Sequence, residues 1–275
     1  MNNEILKFTE ELKNRTITEE DIKKLTEYEK KGYIPWISSS ELIEILKEYA
    51  EAGNANAQYL IAIFYTEKEY REKEDYQKYL YWLRKSAENG NTKAWYYLAM
   101  DGNKKKESFK YCLKSAEIGN ISAQNLLGNF YLSGIGCKKD IQKAIYWYKK
   151  SAEKGDDLAQ ESIGYLYEKG IGFPKDYQKA FNYYKKSAEQ GNEFAQYSLG
   201  YFYEKGRGCQ QDYKKALYWY KKSAEDDNIL AEYKIGYFYE KGKGCKKNLN
   251  KALEYYQKTA PYYKRAKNAY ERLTK

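Results

Sequence analysis

The chain has 275 residues, 42% of them apolar and 17% aromatic, with three prolines and a mean hydropathy of −0.96. That apolar content excludes a disordered chain, and the lack of any histidine removes the commonest general base, the commonest metal ligand and the Ser-His and Cys-His nucleophile systems. The formal charge of +10 is uneven: residues 1–56 hold eight basic and twelve acidic side chains, the remainder 41 and 27, so an acidic start precedes a basic body able to attract acidic proteins, nucleic acid or anionic lipid.

In chain order, the opening MNNEILKFTEELKNR has no apolar run of signal-peptide length, and no stretch of about 18 apolar residues follows. A cytoplasmic protein without membrane insertion is expected. Next, TITEEDIKKLTEYEKKG predicts a helix capped by Thr18 with Glu19, Glu20 and Asp21 in its first turn. SSSELIEILKEYAEAG predicts a second, capped by Ser40, with Pro35 and Trp36 between the two. Residues 1–56 read as an acidic helical cap containing a degenerate repeat, with Leu25 and Gly32 in register. Alternatively, this acidic cap meets the basic body of a second copy in weak head-to-tail self-association.

From residue 57 a repeat takes over. The serine of the motif KSAE recurs at Ser86, Ser115, Ser151, Ser187 and Ser223, then Thr259, in steps of 29, 36, 36, 36 and 36. Ala123, Ala159, Ala195 and Ala231 keep the same period, as do Gly128, Gly164, Gly200 and Gly236. In one unit, 195–230, Ala195, Leu199, Gly200 and Tyr203 form the apolar stripe of a first helix, A, which Gly206 and Gly208 end. Asp212 caps a second helix, B, carrying Ala216, Trp219, Tyr220, Ser223 and Ala224. In sister units Gly119, Gly155 and Gly191 close helix B. Such a hairpin cannot bury its stripes alone, so copies stack into an all-α, right-handed α-solenoid. Gly200 and Ser223-Ala224 are small because larger side chains would push neighbouring helices apart, which makes KSAE a structural joint rather than a chemical site.

The pattern AxxxLGxxYxxGxGxxxDxxKAxxWYxKSAExG resembles the Sel1-like repeat, a relative of the tetratricopeptide repeat. It is matched at 123–158, 159–194, 195–230 and 231–265, with a longer inter-helix turn in 57–93 and a shortened unit at 94–122 where MDGNKKKES replaces the usual turn. Residues 266–275 supply a C-terminal capping helix. The resemblance implies a non-enzymatic adaptor that assembles other proteins, without cofactor, in signalling or bacterial–host contact. A secreted branch of the family carries two bridged cysteines per repeat, with penicillin-binding or lactam-hydrolysing activity attributed to it. This chain has Cys112, Cys137, Cys209 and Cys245 without such pairs, so that activity is not carried over. Three of the four share one register after the Gly-x-Gly turn. Equivalent positions in stacked units lie about 10 Å apart, too far for a disulfide, which needs Cα atoms within about 7 Å. No CxxC and no histidine leave zinc without ligands.

Function is then sought where the units differ, on a concave groove lined by helix A. Two and six residues after the repeating Ala stand Asn125, Glu161, Tyr197 and Tyr233, then Asn129, Tyr165, Tyr201 and Tyr237, four apart and so on one helix face. Leu158, Phe194 and Leu230 precede the Ala. Glu168, Glu204 and Glu240, each followed by a lysine such as Lys205, form a mixed-charge rim. A Tyr-rich groove over 158–241 is expected to bind a peptide or protein carrying apolar anchors and some acidic residues. As an alternative, Lys149-Lys150, Lys185-Lys186 and Lys221-Lys222, with Lys143, Lys179 and Lys215, form an outer ladder suited to nucleic acid or another polyanion. A hydrolase is the remaining reading, for which only repeated surface Lys/Glu pairs are found.

Overall fold

The computed structural model describes residues 7–8, 11–12, 17–30, 39–65, 73–101 and 104–275. The chain forms two compact units, residues 1–130 with 134–138, and residues 131–133 with 139–275. The described residues are α-helical throughout, with no strand among them.

The first unit holds α1 (Glu19–Lys30), α2 (Ser39–Glu51), α3 (Ala55–Phe64), α4 (Lys73–Glu88), α5 (Thr92–Met100), α6 (Lys105–Glu117) and most of α7 (Ile121–Ser133). At its start, Thr18 and Asp21 cap α1 reciprocally: the Asp21 N–H donates to Thr18 Oγ1 (3.3 Å) and the Thr18 N–H to Asp21 Oδ2 (2.8 Å). Gly32, Pro35 and Trp36 lie outside the described residues, as does the Ser40 side chain; α2 begins at Ser39. The shortened unit loses its residues from helix A and the turn, for α5 has 9 residues where α7 has 13.

The second unit holds α8 (Ile141–Ala152), α9 (Asp157–Lys169), α10 (Tyr177–Glu189), α11 (Glu193–Lys205), α12 (Tyr213–Ala224), α13 (Ile229–Lys241), α14 (Leu249–Thr259) and α15 (Lys264–Thr274). Here α9, α11 and α13 are A helices that pair with the B helices α10, α12 and α14. Every one of these six is N-capped by an Asp or Asn side chain: Asp156, Asp176, Asn192, Asp212, Asn228 and Asn248.

The joints are visible at atomic detail. Ser187 Oγ donates to the Asp157 carbonyl (2.7 Å) and Ser223 Oγ to that of Glu193 (2.7 Å), each tying the end of helix B to the first turn of its own helix A. Ser86 does the same to Ala55 in the first unit (2.6 Å). At Thr259 the branched hydroxyl turns back to its own helix, onto the Tyr255 carbonyl (2.8 Å). The glutamine after the repeating Ala makes a second tie: Gln58 and Gln124 donate to the carbonyls of Ala50 (2.7 Å) and Ala116 (3.0 Å) on the preceding helix B.

Two glycines carry specific loads. A Cβ at Gly200 would stand 2.8 Å from the ring of fully buried Tyr220 and 3.2 Å from the Ala216 carbonyl, so the small residue serves both a helix approach and a tyrosine ring. Gly208, at φ +64°, presses its Cα side onto the backbone of Tyr177 at the start of the preceding helix B. The aromatic core follows from this geometry, with Tyr184 and Tyr220 edge-on to Phe202 and Phe238 at centroid distances of 5.2 and 5.4 Å.

Candidate protein-binding face

The cysteines do not form a site. None of the four is disulfide-bonded, and the Sγ atoms of Cys137, Cys209 and Cys245 lie 3.6–3.7 Å from the carbonyls of Phe130, Phe202 and Phe238, closing the turn. Cys112 is buried, and burial pushes its thiol up to about 12, so it stays protonated. Among the described residues no cluster of three His, Cys, Asp or Glu side chains could hold a metal ion. No helix among them is long and apolar enough to cross a membrane.

The lysine ladder is engaged along its length. Lys143, Lys179 and Lys215 lie over the rings of Tyr131, Tyr167 and Tyr203 at 5.3–5.5 Å. Lys149, Lys150, Lys186 and Lys221 lie over Phe173, Trp147, Tyr183 and Tyr239. Lys185 pairs with Glu189 (3.7 Å) and Lys222 with Glu225 (3.0 Å). These stems and charges hold aromatic side chains of the second unit in place.

On α9, α11 and α13 the expected face divides into three classes. Leu158, Phe194 and Leu230 are exposed at 49%, 57% and 42%, one at the N-terminal end of each helix. Tyr165 is also exposed. Tyr197, Tyr201, Tyr233 and Tyr237 are half-buried. Tyr197 and Tyr233 rest on the helix-B tyrosines Tyr220 and Tyr256, with centroids 5.6 and 5.7 Å apart. Tyr201 has the Arg207 guanidinium and the Lys234 ammonium over its ring at 5.0 and 5.6 Å, and Lys234 reaches Tyr237 at 6.0 Å. Tyr263, at the start of α15, packs edge-on against Tyr233 at 4.9 Å. The tyrosines are thus partly packing residues as well as surface ones.

The acidic rim is different from the expectation. Glu204 and Glu240 are buried, not marginal. Each helix-A glutamate accepts a hydrogen bond from the helix-B tyrosine of its own repeat: Tyr184 to Glu168 (2.9 Å), Tyr220 to Glu204 (2.7 Å) and Tyr256 to Glu240 (2.8 Å). Each also meets a cation from further along the chain: Arg207 at Glu168 (3.5 Å), Lys234 at Glu204 (2.8 Å) and Arg272 at Glu240 (2.8 Å). The adjacent lysine, Lys205 for Glu204 (3.1 Å), stays exposed and completes the cluster. Burial pushes the Glu240 carboxyl up, but Arg272, Lys241 and Tyr256 outweigh it and hold the group down at about 2. Glu204 is likewise held below the usual carboxylate range by Lys234 and Tyr220 against its burial. The Tyr–Glu–cation set is a polar staple between successive repeats. Arg207, Lys234, Arg272 and Tyr263 join this face without having been expected there from the sequence. A signal existed for the first: the turn reads Gly-Ile-Gly at 134–136 and 170–172, but Gly-Arg-Gly at 206–208.

Glu161 stands apart. It is half-buried on α9, and burial, with Glu168 adding repulsion, pushes its carboxyl up to about 7. Among the described residues no hydrogen-bond donor or cation reaches it.

Stacked helix pairs with such joints define a helical-repeat protein of the tetratricopeptide-like class. The Sel1 repeat model matches residues 55–91, 121–156, 157–192, 194–228 and 229–260, and the chain belongs to that family. Sel1 repeat proteins are generally non-catalytic protein–protein interaction scaffolds. Among solved structures the chain is similar to c5321, a protective antigen present in uropathogenic Escherichia coli strains that displays an SLR fold. The identity is 31% and the TM-score 0.72, over 80% of this chain and 48% of that one, so this chain spans about half of that protein's length. A Sel1 repeat protein from Oxalobacter formigenes shows 36% identity and a TM-score of 0.57, over 62% of this chain and 70% of that one. No curated protein matches the sequence.

Proposed function

We propose that the chain is a scaffold whose partner docks on the face of α9, α11 and α13, with Leu158, Phe194 and Leu230 as its apolar contacts and Tyr165, Tyr197, Tyr201, Tyr233 and Tyr237 as its floor. The observation that carries this is the exposure of three large apolar side chains in one register of three successive repeats. Water-facing apolar groups set beside tyrosines are the composition of a binding surface rather than of a solvated one. Neighbouring helices of one register lie about 10 Å apart, a distance that about three residues of extended chain span. A segment in the polyproline II conformation, which returns every third side chain to one face after about 9 Å, fits this spacing with apolar side chains at every third position. Glu204 serves the fold in this reading, and Lys205 is the exposed polar edge.

Because the tyrosines also pack on the core, the test uses the exposed residues. A Leu158→Ser/Phe194→Ser/Leu230→Ser chain should melt like the wild type and lose a protein that the wild type retains from the source lysate. Equal retention of that protein by both chains would place binding elsewhere.

A further inference from the structure

Of the four positions that stand two residues after the repeating Ala, Glu161 alone carries a formal charge; the others are Asn125, Tyr197 and Tyr233. Its surroundings do not neutralise it. Glu168, the acid on its own helix that repels it, already takes Tyr184 and Arg207, and the helices packed against α9 bring the hydroxyls of Tyr148 and Tyr184 near it. Three cations of this face are held by its other glutamates: Arg207 by Glu168, Lys234 by Glu204, Arg272 by Glu240. A half-buried carboxylate without a counter-charge costs folding stability, and a cation brought by a ligand would remove that cost. The residues beside it are suited to such a ligand. Leu158 and Tyr165, three residues before and four after Glu161, share its side of the helix and are exposed at 49% and 41%.

We propose that the segment docking on this face is basic at its centre: a lysine or arginine of the partner pairs with Glu161, while flanking apolar residues cover Leu158, Tyr165 and Phe194. This rests on the reading of the face as a docking surface. It replaces the acidic segment expected from the charge of the chain as a whole, because the charge left unmatched at this position is the Glu161 carboxyl. Charge complementarity here sets which segments are accepted, with the apolar contacts common to all of them.

The test selects random 12-residue peptides displayed on phage against the immobilised full chain, then measures the enriched peptides by fluorescence anisotropy. Expected are peptides with a Lys or Arg flanked by Leu, Phe or Trp. Each should bind Glu161→Gln roughly tenfold more weakly, with an equal loss when the peptide's basic residue becomes norleucine. Apolar peptides without a basic residue, bound equally by the wild type and Glu161→Gln but lost by the Leu158→Ser/Phe194→Ser/Leu230→Ser chain, would overturn the inference and leave the docking face intact. Peptides insensitive to that triple change, or no enrichment at all, would overturn both.

Discussion

The repeat that begins with α9 and the one that begins with α11 are built on the same joints and present different faces. Both cap helix A with an Asx side chain, tie Ser187 or Ser223 to a first-turn carbonyl, and lay Tyr184 or Tyr220 across a helix-A glycine. Yet Glu161 becomes Tyr197, and Ile171 becomes Arg207. In the α11 repeat, Arg207 and Lys234 cover Tyr201, and Glu204 is matched by Lys234 and Lys205. Helix α9 has one carboxyl more than α11, with Arg207 reaching only Glu168. Residues that hold the stack must repeat, because each repeat offers the next the same surface. Residues on the face need not, and there the local charge balance is allowed to fail.

Pairing the two repeats in mutagenesis sharpens this contrast. The largest difference is expected at the second turn glycine. An alanine Cβ at Gly208 would run into the Tyr177 backbone, at φ +64°, whereas at Gly172 it would meet the Ile141 and Ile145 side chains at 2.6 Å. Side chains can move and backbone cannot, so Gly208→Ala should cost about 4 kcal/mol or prevent folding, and Gly172→Ala about half of that, read from urea melts. Equal losses would show that the joint is set by the glycine conformation alone. The glutamates come next. Glu204→Ala strips Lys234 and the Tyr220 hydroxyl of their buried partner, at a cost of about 3 kcal/mol. Glu168→Ala, which removes a more exposed group and also relieves Glu161, should cost about 1 kcal/mol or less by the same measurement. A larger loss at Glu168 would reverse the assignment of the two staples.

The 36-residue period, the Asp212 cap and the role of KSAE as a joint were all legible in the chain, because each rests on contacts within one repeat or with its immediate neighbour. The tyrosines at 197, 201, 233 and 237 could be assigned to helix A from their spacing. Their half-burial could not, for it depends on rings 20 or more residues away, such as Tyr220 and Tyr256. The acidic rim was misjudged for the same reason. Glu204 and Glu240 look like solvent-facing members of Glu-Lys pairs until a tyrosine 16 residues on and a cation about 30 residues on are seen to converge on them. The lysines expected as an outer ladder lie over rings, some local, such as Trp147 under Lys150 and Tyr183 under Lys186, and some from other helices, such as Tyr203 under Lys215, that have no local signature.

Glu161 is a half-buried carboxyl without a partner among the described residues, and the pH dependence of stability tests that directly. Its ordinary value of 4.5 is raised to about 7, by burial first and Glu168 second. The folded state therefore holds the proton more tightly than the unfolded chain does. Folding loses stability as pH climbs from about 4.5 to about 7, by about 3 kcal/mol, and the full cost persists above. A glutamine has no such cost. The apparent Tm of Glu161→Gln should lie close to the wild type at pH 5 and exceed it by roughly 8 °C at pH 8. A difference that stays flat across this range, or a wild type that is the more stable at pH 8, would mean that the carboxylate is already satisfied within the chain, and the case for a basic partner would fall with it.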